Sequence, residues 1–247
     1  MTWIYLSPHL DDAALSCGGL IWEQTQAGAV SVWTVCAGDP PPGPLSAFAA
    51  ALHARWGAGL AAPEARRAED RASLALLGAA YRHEPLPDCI YRRDPHSGAA
   101  LYASEAALWD PIAPAEQPMI AALQARLAAQ LAQAAAPRLV CPLALGRHID
   151  HRLTRQAAEG LTPIRWYYAD YPYVLAAGDE LAALRRAGWT TTTFPVSPAG
   201  LTAWQDAVAA HTSQISTFWP DLEAMRAAIA DYCHQNGGVQ LWSPPPR

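Results

Sequence analysis

The sequence predicts an α/β fold: a mainly parallel, twisted sheet flanked by helices, with the site at the C-terminal ends of the strands. Three observations lead there. Short apolar runs alternate with helical patterns of about 10–16 residues, as βαβ units require. Hydrophobic residues make up 51% of the 247 residues and charged residues 16%, enough for a buried core and too apolar for disorder. Two clusters of His and Asp follow two of the apolar runs, where open α/β sheets gather their sites.

Trp3 to Leu6 reads as a buried strand, and the turn "SPHLDD" follows it. Gly18 to Gln26 reads as a helix stopped by Gly28. Val30 to Cys36 is rich in β-branched residues and predicts a second strand. "AGDPPPGPLS" breaks regularity, and Pro63 to Gly78 predicts a helix with Pro in its first turn. Tyr81 to Leu86 is a third strand candidate. Pro87 to Pro118 shows no clear period and is long for a connection, which suggests a functional loop.

Met119 to Ala135 predicts an Ala/Leu/Gln helix. Arg138 to Leu143 predicts a strand with Pro142 near its end, and "ALGRHIDHR" leads into a helix opening near Asp150. Ile164 to Ala169 and Thr190 to Val196 are further strand candidates. Helices over Pro198 to His211 and Asp221 to Gln235 close the fold, before a loose Pro-rich tail at about 243–247. The whole reads as one domain, residues 1–247.

The bulk properties exclude several classes. The formal net charge is −5, and no Arg cluster exceeds two residues, so a nucleic-acid partner is not expected. Five widely spaced cysteines without C-x-x-C give neither a disulfide framework nor a zinc knuckle. No segment approaches the ~20 apolar residues of a membrane span, and no secretory leader is evident. A cytoplasmic protein is expected; homo-oligomerisation is left open.

His9 and Asp12 are three apart, as are His148 and His151, so each pair can share one face of a helical turn. A catalytic zinc commonly takes three protein ligands from His, Asp and Glu and keeps one position open. Two His and one carboxylate satisfy it, leaving one His and one or two carboxylates for acid–base work. Singly, such residues are ordinary: a lone His packs or solvates, and an Asp beside a helix start caps it. Their coincidence at two strand ends on one side of the sheet favours a metal site. Zinc suits these histidines better than magnesium, which disfavours an Asp-pair phosphatase or receiver domain.

"SPHLDDAALSCGG" and "RHIDH" resemble the two motifs of the PIG-L, or LmbE-like, deacetylase family. "RRAEDRASLALLG" resembles that family's R-x-x-E helix, and "LPDC" its Pro-Asp-Gly turn, with Cys89 in place of Gly. Leu10 stands where many members have Pro. The resemblance spans roughly residues 2 to 170. It implies a Rossmann-like fold, one bound Zn2+ per chain, and removal of the acetyl group from N-acetylglucosamine units on lipid, thiol-precursor or glycopeptide scaffolds. By position it implies His9, Asp12 and His151 as zinc ligands and Asp11 as general base. It further implies a protonated His148 as the group facing the amide oxygen, and Asp150 as the orienter of a histidine. Arg66, or Arg67 in its stead, and Asp88 would contact the sugar.

Trp109, Trp166, Tyr171 and Tyr173 are candidates for stacking on sugar faces, with a place in the core as the alternative. The segments Asp39 to Leu60 and Arg92 to Pro118 are expected to shape the pocket. The implied substrate is a small or conjugated amino sugar. Two rivals remain: a metal-dependent hydrolase of another amide or an ester, and a non-catalytic sugar-binding member of the fold.

Overall fold

Strand β1 (Thr2–Ser7) is the strand around which the sheet is built, with parallel neighbours on both sides. The computed structural model describes residues 1–57, 59–161 and 166–246. After helix α1 (Asp12–Thr25) the chain lays β2 (Ala29–Thr34) along one side of β1. Helices α2 (Ala47–Arg55) and α3 (Ala62–Leu76) then lead to β3 (Ala80–His83) at the sheet edge. Helix α4 (Gln117–Leu131) returns it to β4 (Pro137–Pro142) on the other side of β1, and α5 (Ile149–Glu159) leads to β5 (Trp166–Tyr168).

Pairing therefore runs outward in opposite directions from β1 and β4. A crevice must open between the loops that leave them, because one connection goes left and the other right. The two His/Asp clusters lie in those two loops. The sequence-level expectation of a mainly parallel sheet with its site at the strand C-termini holds.

The sheet continues through α6 (Gly178–Arg186), β6 (Thr190–Phe194), α7 (Pro198–Ala209), α8 (Thr212–Phe218), α9 (Leu222–Asn236) and β7 (Val239–Ser243). Its order is β3-β2-β1-β4-β5-β7-β6, and β7 runs antiparallel to both β5 and β6. Strand β7 was not expected, and Ser243 pairs with Thr190, so the expected tail at 243–247 is shorter than predicted. Its five residues lie immediately after Gly237 and Gly238, and only the seat between β5 and β6 makes them a strand. Of the strand expected at Ile164 to Ala169, residues 164 and 165 lie outside the described set. Helices α2, α6 and α8 were also unforeseen. In α2 a run of Pro and Gly upstream masked a good start: Ser46 accepts a capping hydrogen bond from the Ala49 N–H at 3.1 Å.

Alternation along the strands builds two cores. Tyr5 and Val140 face a layer that includes α1, α7 and α9, through Leu20, Trp204 and Ile229. Ile4, Leu6 and Cys141 face α4 and α5, through Leu123, Leu127 and Leu153. A third cluster of Ala49, Leu52, Cys89, Ile90, Tyr91, Tyr102 and Ile149 lies beneath the loops and stiffens them. All five cysteines are free and buried. No described helix is long and apolar enough to cross a membrane.

Helix α1 starts at Asp12, six residues before the expected Gly18, because the metal-type turn runs directly into it. Gly18 and Gly19 consequently sit inside the helix rather than at its opening. Their role is close approach to a side chain: the indole of Trp204 on α7 lies over both, and its Nε1 donates to the Leu15 carbonyl at 3.2 Å. A Cβ at Gly19 would fall 2.8 Å from Trp204 and 2.9 Å from Val196, and one at Gly18 would collide with the indole.

Gly18→Ala should therefore cost about 1–3 kcal/mol through overpacking, despite the better helix propensity of Ala. Thermal unfolding should fall by roughly 2–4 °C per kcal/mol. Gly28→Ala, whose Cβ meets only the Met1 carbonyl at 3.9 Å, is the control. An unchanged melting temperature for Gly18→Ala would contradict this packing.

Candidate active site

Three strand ends supply the site. After β1, the Ser7 hydroxyl donates to the His9 carbonyl at 2.6 Å and accepts from the Ala13 N–H at 3.0 Å. The His9 N–H donates to Asp12 Oδ2 at 2.7 Å, so the turn positions both side chains before α1 begins. Asp11 occupies the N-cap of α1, yet its carboxylate makes no capping hydrogen bond. The ordinary use of an Asp at a helix start is thus absent, and the carboxylate lines the cleft instead.

After β4, Ala144 (φ 58°), Gly146 (φ 75°) and Arg147 (φ 64°) take left-handed backbone conformations that turn the chain into α5. Such strain persists only where the surroundings fix it. Asp170, just beyond β5, does so by accepting from the Leu145 N–H at 2.9 Å. His148 caps α5: its Nδ1 accepts from the Asp150 N–H at 3.2 Å.

Asp12 touches both halves of the site. Its Oδ2 lies 3.1 Å from His9 Nδ1, and its Oδ1 lies 3.3 Å from His151 Nε2. Each histidine has a carboxylate on its other nitrogen: Asp150 at 3.0 Å from His9 Nε2, and Asp170 at 2.7 Å from His151 Nδ1. That is how proteins fix ligating imidazoles, with the outer nitrogen held so the inner one presents its lone pair. His151 Nε2 is buried and has no aligned hydrogen-bond partner, leaving it suited to an ion. One ring nitrogen from each of His9, His148 and His151 also lies within 4.8 Å of the others. The donor set of His9, Asp12 and His151 therefore fits a divalent metal such as zinc. Two further groupings, Cys89 with His148 and Asp150, and His9 with Asp88 and Asp150, are less suited, because Arg92 already neutralises Asp150 at 2.6 Å.

The electrostatics separate the adjacent aspartates. Burial would raise the Asp12 pKa, but His151 and His9 outweigh it and hold it well below the usual range. Asp11 goes the other way: burial, then the Asp12 charge, raise its pKa against the pull of Arg66. For His151, burial is outweighed by Asp12 and Asp170, which lift the pKa to about 10 without a metal; a bound cation would take the place of that proton at Nε2. His148 is pushed down to about 3 by burial and then by the His9 charge. Since its Nδ1 accepts a hydrogen bond, the neutral ring carries its proton on Nε2. The protonated His148 expected from sequence is thus replaced by a neutral donor.

Arg66 and Asp88 both enter the cleft. Arg66 lies 3.6 Å from Asp11 Oδ1 and 3.9 Å from Asp88 Oδ2, with its guanidinium 4.8 Å from the Trp56 ring centroid. Arg67 points elsewhere, to Asp39 and Glu64, each at 2.8 Å. Of the four aromatic candidates, Trp109 and Tyr173 reach the site: Trp109 abuts His148 at 5.4 Å and Tyr173 abuts His151 at 5.6 Å between ring centroids. Trp166 packs on Trp3 and Phe194, and Tyr171 is buried against Trp219 and Tyr232. The cleft, of about 150 Å³, is walled by Leu52 and Trp56 near α2, by Leu108 and Trp109, and by Phe218 of α8. A larger depression of about 580 Å³ lies beside α4 at the start of β4, away from the strand C-termini, and has no titratable side chain among the described residues of its wall.

Asp170 was missed from sequence; Asp after a strand is too common to carry a role alone. Arg92, Glu116 and Tyr102 lie in an unpatterned loop and left no signal at all.

Comparison with known proteins agrees with this geometry. The profile of the GlcNAc-PI de-N-acetylase family, PIG-L, matches residues 4–161. The 2'-N-acetylparomamine deacetylase of Streptomyces fradiae is 30% identical over 176 residues, which is 69% of this chain and 57% of that protein. The chain thus matches little more than half the length of that relative. Among solved structures, the zinc-inhibited form of teicoplanin deacetylase superposes with a TM-score of 0.80 at 27% identity, covering 99% of this chain and 97% of that one. A deacetylase–teicoplanin complex from the same biosynthetic pathway gives 0.78 at 27% identity, covering 99% and 98%. The fold, the spacing of the two His/Asp turns and these likenesses together place the chain in the PIG-L family.

Proposed function

We propose that the protein is a zinc-dependent N-deacetylase that hydrolyses the acetamide of an N-acetylglucosamine-containing substrate. One observation carries the reading: Asp12 lies between two carboxylate-braced histidines, while its neighbour Asp11 is left uncapped, raised in pKa and facing the cleft. A purely binding site needs the first carboxylate and has no use for the second. The related proteins named as deacetylases of N-acetylparomamine and teicoplanin support the amide chemistry and the amino-sugar class.

Zinc held by His9, Asp12 and His151 would supply Lewis acidity, making water nucleophilic near neutral pH and stabilising negative charge on the acyl oxygen. The chain's own groups do the rest. Asp11 takes the proton of the attacking water; a carboxylate of raised pKa can then return it to the departing amine. The neutral His148 donates its Nε2 proton as a hydrogen bond to the acyl oxygen, which needs that donor most as it becomes an oxyanion. Asp150 and Asp170 hold His9 and His151 in register. Arg66 restrains Asp11, and with Asp88 it offers a donor and an acceptor to sugar hydroxyls. Trp109 and Tyr173 supply apolar faces next to the histidines.

The reading is tested by released acetate when zinc-loaded protein meets N-acetylglucosamine, its lipid and thiol-precursor conjugates and short chitooligosaccharides. At least one should be turned over. Asp11→Asn should lower that rate by about 10³ or more while the chain still binds one metal. His151→Ala should lose the metal. Asp170→Asn should weaken metal affinity by about 10–100-fold, since it removes the brace and not the ligand. Full activity in Asp11→Asn would remove Asp11 as the base; acetate release from none of the conjugates would point to another amide or an ester.

A further inference from the structure

Arg92 is buried in the long loop after β3, and the catalytic scheme above does not use it. Its guanidinium stands between two buried carboxylates. NH2 lies 2.6 Å from Asp150 Oδ1, and Nε lies 2.6 Å from Glu116 Oε1. Both contacts are ion pairs more than aligned hydrogen bonds, so charge rather than directionality holds them. The remaining oxygen of each carboxylate is also committed. Asp150 Oδ2 meets His9 Nε2 at 3.0 Å and accepts from the Cys89 N–H at 3.0 Å. Glu116 Oε2 accepts from the Tyr102 hydroxyl at 2.6 Å.

The Glu116 side of this cluster gathers the loop onto itself. The Tyr102 hydroxyl accepts from the Ala113 N–H at 3.0 Å, and the Leu101 N–H donates to the Arg92 carbonyl at 2.9 Å. The Tyr102 ring lies 5.6 Å from the Arg92 guanidinium carbon. Residues 92, 101, 102, 113 and 116 thus meet at one point. Between them the chain carries Leu108 and Trp109, which wall the cleft, and Trp109 touches His148. The same side chain that neutralises the carboxylate behind His9 therefore also closes the loop in front of it.

We propose that Arg92 is a positioning residue with two arms: through Asp150 it sets the His9 ring for metal ligation, and through Glu116 it fixes the loop that walls the substrate cleft. The planar fork of Arg presents Nε and NH2 to two separate carboxylates in a fixed geometry, which the single ammonium of Lys does not reproduce. The inference rests on the metal reading of His9 and does not depend on which substrate is used.

The two arms separate in experiments on the full-length, zinc-loaded chain that need no turnover. Zinc affinity is read by competition with a chromophoric chelator, and loop order by hydrogen exchange over residues 93–116. Arg92→Lys should weaken zinc binding by about 10–100-fold and speed exchange in the loop. Glu116→Gln and Tyr102→Phe should speed loop exchange and leave zinc affinity at the wild-type value. Asp150→Asn, which keeps the shape of the carboxylate, should weaken zinc and leave the loop as it is; it serves if Arg92→Lys does not fold. Wild-type zinc affinity in folded Arg92→Lys or Asp150→Asn overturns the first arm. Unchanged loop exchange in Glu116→Gln overturns the second, and an equal loss of zinc in Glu116→Gln reduces the cluster to general stability. A wild-type chain that binds no zinc instead defeats the metal reading itself.

Discussion

The site depends on one carboxylate placed between two strand ends. Asp12 reaches His9 in its own turn and His151 across the crevice, so the β1 and β4 loops are joined through it. Around it stand Asp11, Asp150 and Asp170, all buried, with Asp150 and Asp170 against the two histidines. So many buried carboxylates are costly unless cations share their charge. Arg66 and Arg92 supply part of that charge, and the histidines with the proposed divalent ion would complete it. The arrangement makes sense as a metal centre and is hard to rationalise as a structural core.

The two His/Asp clusters stood out in the sequence because each is local. A turn of four residues after one strand, and a single helical turn after another, each place their side chains as sequence neighbours, although Asp170 from beyond β5 braces the second. The parallel sheet was legible for a similar reason: β1, β2 and β4 carry the apolar, β-branched runs that buried strands need. From those two facts the meeting of "PHLDD" with "HIDH" across a crevice follows from the topology alone. The choice between Arg66 and Arg67 was not legible, since consecutive helix positions differ by about 100° and sequence gives no absolute orientation. The fold turns Arg66 into the cleft, while Arg67 reaches Ala37 and Asp39.

What escaped was non-local. Asp170 acts only because β5 lies beside β4 and brings it to His151. Arg92, Tyr102 and Glu116 are spread over an irregular segment, and nothing but the folded loop puts them at one point. Strand β7 is five residues long and exists because two other strands offer it a seat. The cap that His148 makes on α5 was equally out of reach. That cap uses Nδ1 as an acceptor and, with burial, favours the neutral ring. A neutral donor suits an acyl oxygen that acquires its charge only during reaction.

The family match ends at residue 161, yet Tyr173 and the α8 wall of the cleft come from beyond it, and α2 and the Trp109 loop sit between its motifs. The metal-type donors and much of the cleft wall are thus carried by different segments of the chain. The central claim is the division of labour between Asp11 and Asp12. Anomalous scattering at the zinc edge from crystals of the zinc-loaded protein tests it most directly. A single peak at about 2.0–2.2 Å from His9, Asp12 and His151, with Asp11 outside ligation distance, is the predicted result. A peak ligated by Asp11, or one held by Cys89, His148 and Asp150, would contradict it.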